Sequence, residues 1–281
     1  MYNVKKGLFV LMVLLHTGML FAQDKNFHIY LCFGQSNMEG SAPIEKEDKT
    51  MSDRLFVLQS LDCPKYLRKK NMWYPAMPPL THCHSGLSPA DYFGKTMVEH
   101  LPDSIRVGLV TVAVGGCDIR LFDKALYNDY KETHQQDWFI KKIKDYGGNP
   151  YQHFISLAKL AQNYGVIKGI LLHQGETNTG DNLWPEYVSV IYNNILTDLG
   201  LIAQNVPLLA GELVHEDQNG KCARMNPIIN CLPNVIPTAH VISSKGCTVK
   251  PDLVHFNSAG VRVLGKRYAE HMLKLQGYSM E

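Results

Sequence analysis

The sequence lacks a charge imbalance, internal repeats, low-complexity linkers and any CxxC pair. Its 28 Lys and Arg residues nearly balance 26 Asp and Glu residues, which argues against the cation-rich surface of a nucleic-acid-binding protein. Without a CxxC pair, the candidate zinc ligands are the neighbours His82, Cys83 and His84, and adjacent side chains on a loop rarely converge on one ion. We therefore expect neither a nucleic-acid partner nor a metal ion.

Long hydrophobic runs are also scarce, and the one present is N-terminal. Lys5 and Lys6 precede a mainly apolar stretch from Gly7 to Ala22, after which the sequence becomes polar. A positive start before a short apolar run is typical of a secretory signal peptide, and the run is shorter than the roughly 20 residues of a membrane-spanning helix. We predict a signal peptide over residues 1–22 and one domain over residues 23–281. We expect a secreted monomer, in a bacterial periplasm or outside the cell, without membrane contact after cleavage; an uncleaved anchor is the alternative.

Seven cysteines are present, so at least one has no partner within the chain. In an oxidising compartment, Cys222 and Cys231 are close enough in sequence to close a short loop. Cys32 lies in an apolar run and is expected to be a buried free thiol. The sequence leaves the pairing of the others open.

Runs rich in β-branched residues alternate with segments whose apolar residues recur every three or four positions. This alternation predicts a parallel sheet with helices on both faces, a three-layer α/β/α sandwich. The predicted strands are five: Phe27–Phe33, Arg54–Gln59, Ile105–Val114, Ile167–His173 and Val206–Gly211. The predicted helices are Pro89–His100, Pro150–Tyr164, Trp184–Leu199 and Ser258–Leu275, the last with Ser258 as its N-cap. The irregular stretches 60–88 and 117–148 are long enough to predict functional loops.

A serine follows the first predicted strand, at the sheet edge where parallel sheets bind ligands. Ser36 needs a base to become a nucleophile, and His255 lies three residues after Asp252 near the last helix. A carboxylate at that offset can orient the imidazole, which gives the chain order Ser, Asp, His. The full GxSxG elbow is absent because Met38 occupies the position of the second glycine, and this disfavours an ordinary α/β-hydrolase.

Two further strand ends offer donors for the oxyanion of an acyl-transfer reaction. Gly115 and Gly116 follow the third predicted strand, where a bare backbone N–H can approach a carbonyl. The fourth strand runs into the polar sequence 173–178, HQGETN. Tight turns and helix caps would explain each cluster alone, but they do not explain polar clusters at several sheet edges.

Four blocks together resemble the SGNH hydrolases: GQSN at 34–37, VGG at 114–116, HQGETN at 173–178 and DLVHF at 252–256. Specifically, the chain is similar to the branch of sialate O-acetylesterases and family 6 carbohydrate acetylesterases, from Ile29 to about Ala269. The resemblance implies a flavodoxin-like five-stranded parallel sheet. It also implies that Ser36 is the nucleophile, His255 the general base and Asp252 the orienting carboxylate, with no cofactor.

The same resemblance implies an oxyanion hole formed by the N–H groups of Ser36 and Gly116. A third donor is expected from Gln174 or, as the second choice, Asn178, because the region permits more than one alignment. Gln35 and Glu176 are expected to support the site from behind, and a substrate contact by Glu176 stays open.

We expect a secreted serine esterase that removes O-acetyl groups from a carbohydrate, either sialic acid or an acetylated plant or host glycan. The sugar ring of the substrate would stack on one or more aromatic side chains from the set Trp73, Tyr74, Trp138 and Trp184. The alternative is that these side chains pack the loops onto the sheet. The alternatives are an SGNH esterase acting on a lipid, thioester or peptidoglycan ester, and a catalytically inert carbohydrate-binding module.

Overall fold

A computed structural model describes residues 23–278, so the signal peptide predicted for residues 1–22 lies outside the described residues. Within this described range, seven strands form one sheet: β1 (Asp24–Gly34), β2 (Leu55–Leu58), β3 (Trp73–Pro75), β4 (Arg106–Ala113), β5 (Gly165–His173), β6 (Leu208–Gly211) and β7 (Ala239–Ile242). The α-helices are α1 (Ser36–Glu39), α2 (Pro89–His100), α3 (Tyr127–Thr133), α4 (Asp137–Asp145), α5 (Pro150–Gln162), α6 (Trp184–Leu199), α7 (Asn226–Ile229), α8 (Leu232–Val235) and α9 (Ser258–Leu275). Short 3-10 helices cover Glu47–Lys49, Pro64–Tyr66, Ile119–Phe122, Ala203–Asn205, Glu216–Gln218 and Ala223–Met225.

The strand order is β3-β2-β4-β1-β5-β6-β7, and every neighbouring pair is parallel except β2 with β3. Within it, β4-β1-β5-β6-β7 has the flavodoxin order 2-1-3-4-5, which confirms the predicted fold class. All five predicted strands are present, but the predicted count of five was too low. The sheet also contains β7, which completes the flavodoxin-like core, and the antiparallel edge strand β3, while the predicted strand β2 lies outside that core.

Helices cover both faces of the sheet, as the alternating pattern predicts. Along β1, Leu31 faces the cluster that contains Phe154 of α5 and Ile191 of α6, whereas Tyr30 faces the cluster that contains Phe93 of α2 and Tyr268 of α9. Because β1 is buried on both sides, it reads as a continuous apolar run rather than an alternating one.

Several local predictions need correction. The irregular stretch 117–148 contains α3 and α4, and helix α9 is capped by Asn257, whose side chain accepts the N–H of Gly260 at 2.9 Å, rather than by Ser258. The Ser258 hydroxyl instead donates to the carbonyl of Pro43, at 2.7 Å.

The disulfide joins Cys63 to Cys83, not Cys222 to Cys231, whose thiols are both free. Cys32 is a buried free thiol, as predicted. The disulfide also occupies the sulfur of Cys83, which the zinc alternative would have needed as a ligand. Between residues 23 and 278, no helix is long and apolar enough to cross a bilayer.

Candidate active site

The predicted site residues lie at the carboxyl ends of neighbouring parallel strands. Ser36 follows β1, Gly116 follows β4, and the segment from Gln174 to Asn178 follows β5. Strands β4 and β5 lie on opposite sides of β1, so the strand order reverses direction at β1. The carboxyl end of β1 is therefore the topological switch point of the sheet, where doubly wound folds bind their ligands.

Ser36, His255 and Asp252 form one hydrogen-bonded chain across the site. The Oγ atom of Ser36 lies 2.8 Å from Nε2 of His255, and Nδ1 of His255 lies 2.9 Å from Oδ2 of Asp252. All three residues are partly exposed. An imidazole bonded to a hydroxyl on one side and a carboxylate on the other can accept the serine proton and be stabilised as a cation.

The loop that carries Asp252 also fixes its charge state. Partial burial would raise the pKa of Asp252, but hydrogen bonds from the backbone N–H groups of His255 and Val254, both 2.9 Å long, and from the His255 side chain lower it to about 2. The carboxylate is therefore ionised throughout the neutral range.

Asn37, which directly follows the serine, joins three parts of the site. Its Nδ2 donates to Oε1 of Glu176 at 2.6 Å and to the carbonyl of Val254 at 3.2 Å, while its Oδ1 accepts the N–H of Phe256 at 3.2 Å. The side chain is fully buried. The sequence analysis quoted Asn37 within the GQSN block without assigning it a role, although its place beside Ser36 was a usable signal.

Two backbone N–H groups remain available beside Ser36. Ser36 is the first residue of α1, so its N–H has no acceptor within the helix, and neither it nor the N–H of Gly116 donates to another described residue. Gly116 is exposed and has a φ of 78°, a conformation that favours glycine. These are the two backbone donors that the sequence predicts for the oxyanion hole.

An ion pair supports the Gly115–Gly116 turn. The Glu39 carboxylate accepts the N–H of Gly115, and Nζ of Lys142 lies 3.0 Å from both Glu39 oxygens. Glu39 ends the helix that Ser36 begins, and Lys142 belongs to α4. The sequence analysis missed this pair because its members are 103 positions apart.

The third oxyanion donor predicted from Gln174 or Asn178 is corrected by the structure. Nε2 of Gln174 has two hydrogens and three acceptors around it, Oε1 of Gln35 and the carbonyl of Cys117, both at 3.1 Å, and Oδ1 of Asn178 at 2.7 Å. Nδ2 of Asn178 donates to Asp118 at 2.8 Å and to Asp181 at 3.4 Å. Both residues are buried. Since their amide hydrogens are committed to protein acceptors, neither side chain is free to bind a substrate oxygen.

Gln35 lies behind the site, where the sequence places it. Its Oε1 accepts Nε2 of Gln174 at 3.1 Å, the N–H of Gly175 at 3.3 Å and the N–H of Thr177 at 3.5 Å. A single buried amide oxygen thus holds the loop after β5 against the residue that precedes Ser36.

Glu176 contacts Asn37 rather than His255. Burial raises the pKa of Glu176 to about 7, against the lowering effect of its hydrogen bonds. Its second oxygen, Oε2, is buried without a hydrogen-bond partner among the described residues. A carboxyl in this environment is partly protonated near neutral pH.

The four aromatic residues considered as sugar contacts differ in their exposure and packing. Trp184 is fully buried and donates its indole N–H to Gln174 at 2.5 Å, and Trp73 packs on Phe27 with ring centroids 4.9 Å apart. Tyr74 lies beside Trp73 in β3. Trp138 alone among the three tryptophans is exposed, with 54% of its surface accessible.

A flavodoxin-like sheet with this serine, histidine and aspartate at its switch point is the arrangement that the resemblance to the SGNH hydrolases implies. Residues 26–274 match the family described as carbohydrate esterase, sialic acid-specific acetylesterase. The chain belongs to this family of carbohydrate esterases.

Solved structures share the fold at low sequence identity. A protein from Arabidopsis thaliana is 20% identical, with a TM-score of 0.68 over 89% of this chain and 99% of its own. NanS is 14% identical, with a TM-score of 0.64 over 91% of this chain and 99% of its own. A carbohydrate acetylesterase from Xanthomonas citri is 18% identical, with a TM-score of 0.63 over 88% of this chain and 56% of its own.

Proposed function

We propose that this protein is a serine-dependent carbohydrate O-acetylesterase. The observation that carries the proposal is the hydrogen-bonded chain from Ser36 through His255 to Asp252, with links of 2.8 and 2.9 Å. Family membership supports an ester of a carbohydrate as the substrate.

In the first half-reaction, Oγ of Ser36 attacks the acetyl carbonyl carbon and His255 Nε2 accepts the hydroxyl proton. The resulting oxyanion accepts hydrogen bonds from the N–H groups of Ser36 and Gly116, which stabilise it more than the planar ester. When the intermediate collapses, the bond from the acetyl carbon to the sugar oxygen breaks. His255 returns its proton to that oxygen, and acetyl-Ser36 remains.

In the second half-reaction, water takes the place of the sugar. His255 accepts a proton from the water as it attacks acetyl-Ser36, and the same N–H groups bind the second oxyanion. As the ester bond to Ser36 breaks, His255 returns its proton to Oγ of Ser36, which restores the serine hydroxyl. The acetic acid that leaves then ionises to acetate and a proton. Asp252 remains ionised throughout and stabilises the imidazolium.

The substrate class we favour is a pyranose that carries an acetyl ester. The family description names sialic acid, and the relative from Xanthomonas citri is described as a carbohydrate acetylesterase. O-acetylated sialic acid and acetylated xylan are therefore the two substrates to compare first.

We also propose that the protein is exported as a monomer after removal of residues 1–22. The charged and then apolar N-terminal sequence supports export, and the Cys63–Cys83 disulfide is typical of an oxidising compartment. Mass spectrometry of the protein recovered from the periplasm or medium of an expressing bacterium should give a chain that begins near Gln23. A full-length chain held in the membrane fraction would contradict export by cleavage.

The test of function is acetate release from O-acetylated sialic acid and from acetylated xylan. The protein, its Ser36→Ala variant and a Ser156→Ala control should be compared, since Ser156 is exposed on α5 and its hydroxyl donates to the carbonyl of Gln152 on the same helix, at 2.8 Å. We expect release from at least one substrate by the protein and the control, and none by Ser36→Ala with its circular dichroism spectrum unchanged.

Other outcomes identify the alternatives. Serine-dependent release from small acetates, thioesters or acetylated peptidoglycan, without release from either glycan, would support an SGNH esterase of another substrate. Binding of glycans without any turnover, together with inertness toward a fluorophosphonate, would support a binding module and contradict the proposal.

A further inference from the structure

We propose that the indole of Trp138 is the platform on which the sugar ring of the substrate stacks, an inference that rests on the proposed function. Trp138 is the second residue of α4, and more than half of the residue's surface is exposed. It lies at the edge of the site and contributes no group to the proposed proton transfer.

The position of the ring relative to the reacting groups follows from the two glycines after β4. A Cβ atom built on Gly116 would lie 3.0 Å from Cη2 of Trp138, and one built on Gly115 would lie 3.5 Å from Cβ of Ser36. The exposed indole therefore lies beside Gly116, the proposed oxyanion donor. The preceding residue, Gly115, lies beside Ser36. An acetyl carbonyl bound at the Gly116 N–H is therefore close to this indole, and the proposal places the sugar ring of the same ester on it.

Helix α4 is fixed firmly enough to hold the indole there. Lys142 follows Trp138 by four residues, so the two side chains leave the same face of the helix. Lys142 pairs with Glu39 of the helix that begins at Ser36, whereas Phe139 and Ile143 are buried in the core. The ion pair and the buried residues thus orient the indole toward the site.

The chemistry of the ring fits a sugar. A pyranose has a face of C–H bonds that packs on a flat aromatic surface, while its hydroxyl groups point outward to water or polar groups. Ligand sites commonly combine such an apolar wall with a few polar groups that fix the orientation. The indole also loses little conformational entropy when a ligand covers it, because it has only two side-chain torsions.

The first test measures selectivity. The ratio of kcat/KM for the acetylated sugar to kcat/KM for ethyl acetate, which carries the same acyl group without a ring, should fall about tenfold in Trp138→Ala, mainly through a higher KM for the sugar. Trp138→Phe should keep most of the ratio. Tyr164→Ala is the matched control, since Tyr164 is also an exposed aromatic but precedes β5 at the opposite edge of the sheet, and its ratio should not change.

The second test measures binding without turnover. Indole fluorescence of Ser36→Ala should change on titration with O-acetylated sialic acid or acetylated xylo-oligosaccharide, and the change should disappear in Ser36→Ala/Trp138→Phe.

The two tests separate failure of the platform from failure of the proposed function. An unchanged ratio in Trp138→Ala, with Ser36-dependent turnover of both esters, would overturn the platform and leave the esterase intact. Absence of Ser36-dependent turnover would overturn the esterase. In that case a fluorescence change that requires Trp138 still supports the platform, and no change, or one that persists without Trp138, overturns it.

Discussion

At the scale of single residues, Asp252 is the only hydrogen-bond partner of His255 Nδ1 among the described residues. No backbone carbonyl of the described residues shares that contact, so Asp252 alone holds the Nδ1 side of the imidazole and leaves Nε2 free to accept the Ser36 proton. We expect Asp252→Asn to lower kcat by about 10²- to 10⁴-fold at pH 7, with a small change in KM. A loss below threefold in steady-state assays would show that Asp252 does not orient the base.

Glu176 gives a second prediction at this scale. Its pKa in the folded protein, about 7, lies above the ordinary glutamate value of 4.5, so between these pH values the folded state binds more protons than the unfolded state. Stability contributed by this residue is complete below pH 4.5 and is lost as the pH rises toward 7. Glu176→Gln removes the titration while keeping an oxygen for Asn37.

The stability of Glu176→Gln relative to the parent should therefore rise between pH 5 and pH 8, by up to about 3 kcal/mol. Urea unfolding of both proteins at the two pH values measures this difference. A relative stability that does not change, or that falls, would show that the Glu176 carboxyl is not held in its neutral form by burial.

Which site residues the sequence reveals depends on how their contacts are spaced along the chain. Ser36, Asp252 and His255 lie in short sequence blocks, and their residue types indicate a nucleophile, an orienting carboxylate and a base. The sequence does not reveal that protein acceptors take up the amide hydrogens of Gln174 and Asn178. Those acceptors belong to Gln35, Cys117 and Asp118, which lie in other loops. The donor expected from the sequence is therefore used inside the protein.

At the scale of elements, α4 connects the outer loops to the nucleophile through the Lys142–Glu39 ion pair. Loss of the lysine leaves Glu39 without its cation and loosens the Gly115–Gly116 turn that Glu39 holds. Lys142→Met should lower kcat for ethyl acetate about tenfold, less than the 10²- to 10³-fold lost when an oxyanion donor is removed outright.

The adjacent Lys141 supplies a control for that variant, because it lies on the same helix and is exposed. Lys141→Met should leave kcat unchanged. Equal rates for Lys142→Met and Lys141→Met would show that the ion pair does not support the turn.

Whether a helix or strand could be predicted from the sequence depends on its length. Helices α2, α6 and α9 span 12 to 18 residues, enough turns for an apolar stripe to stand out, and their bounds were predicted correctly. Strand β3 has three residues and ends in proline, and β7 has four, so neither shows a periodic pattern. Their places in the sheet depend on pairing with distant strands.

At the scale of the whole molecule, one disulfide fastens the loop that runs from β2 to α2. Cys63 and Cys83 are separated by 20 positions, and cross-linking a loop of that length restricts the unfolded chain. We expect the double variant Cys63→Ser/Cys83→Ser to lose about 3 kcal/mol of unfolding free energy. The exposed free thiol Cys231 provides the control variant Cys231→Ser, which should lose almost nothing. Equal stabilities of the two variants in urea would contradict a stabilising disulfide.

The overall architecture was predictable to the level of class because alternating strands and helices leave few ways to bury both faces of a sheet. The sequence did not predict which strands form the five-stranded core. Strands β2 and β7 are both short, and only their tertiary pairing decides which of them belongs to it. The candidate site could be located from the sequence despite this error, because it depends on the ends of β1, β4 and β5, which are long and were all predicted as strands.

The central claim is that Ser36 is a nucleophile activated by His255. Its most direct test is reaction of the protein with a fluorophosphonate, followed by peptide mapping in a mass spectrometer. We predict one adduct per chain, located on Ser36, and none in the folded His255→Ala variant on the same time scale. An adduct on another residue, or equally fast labelling of Ser36 without His255, would contradict the claim.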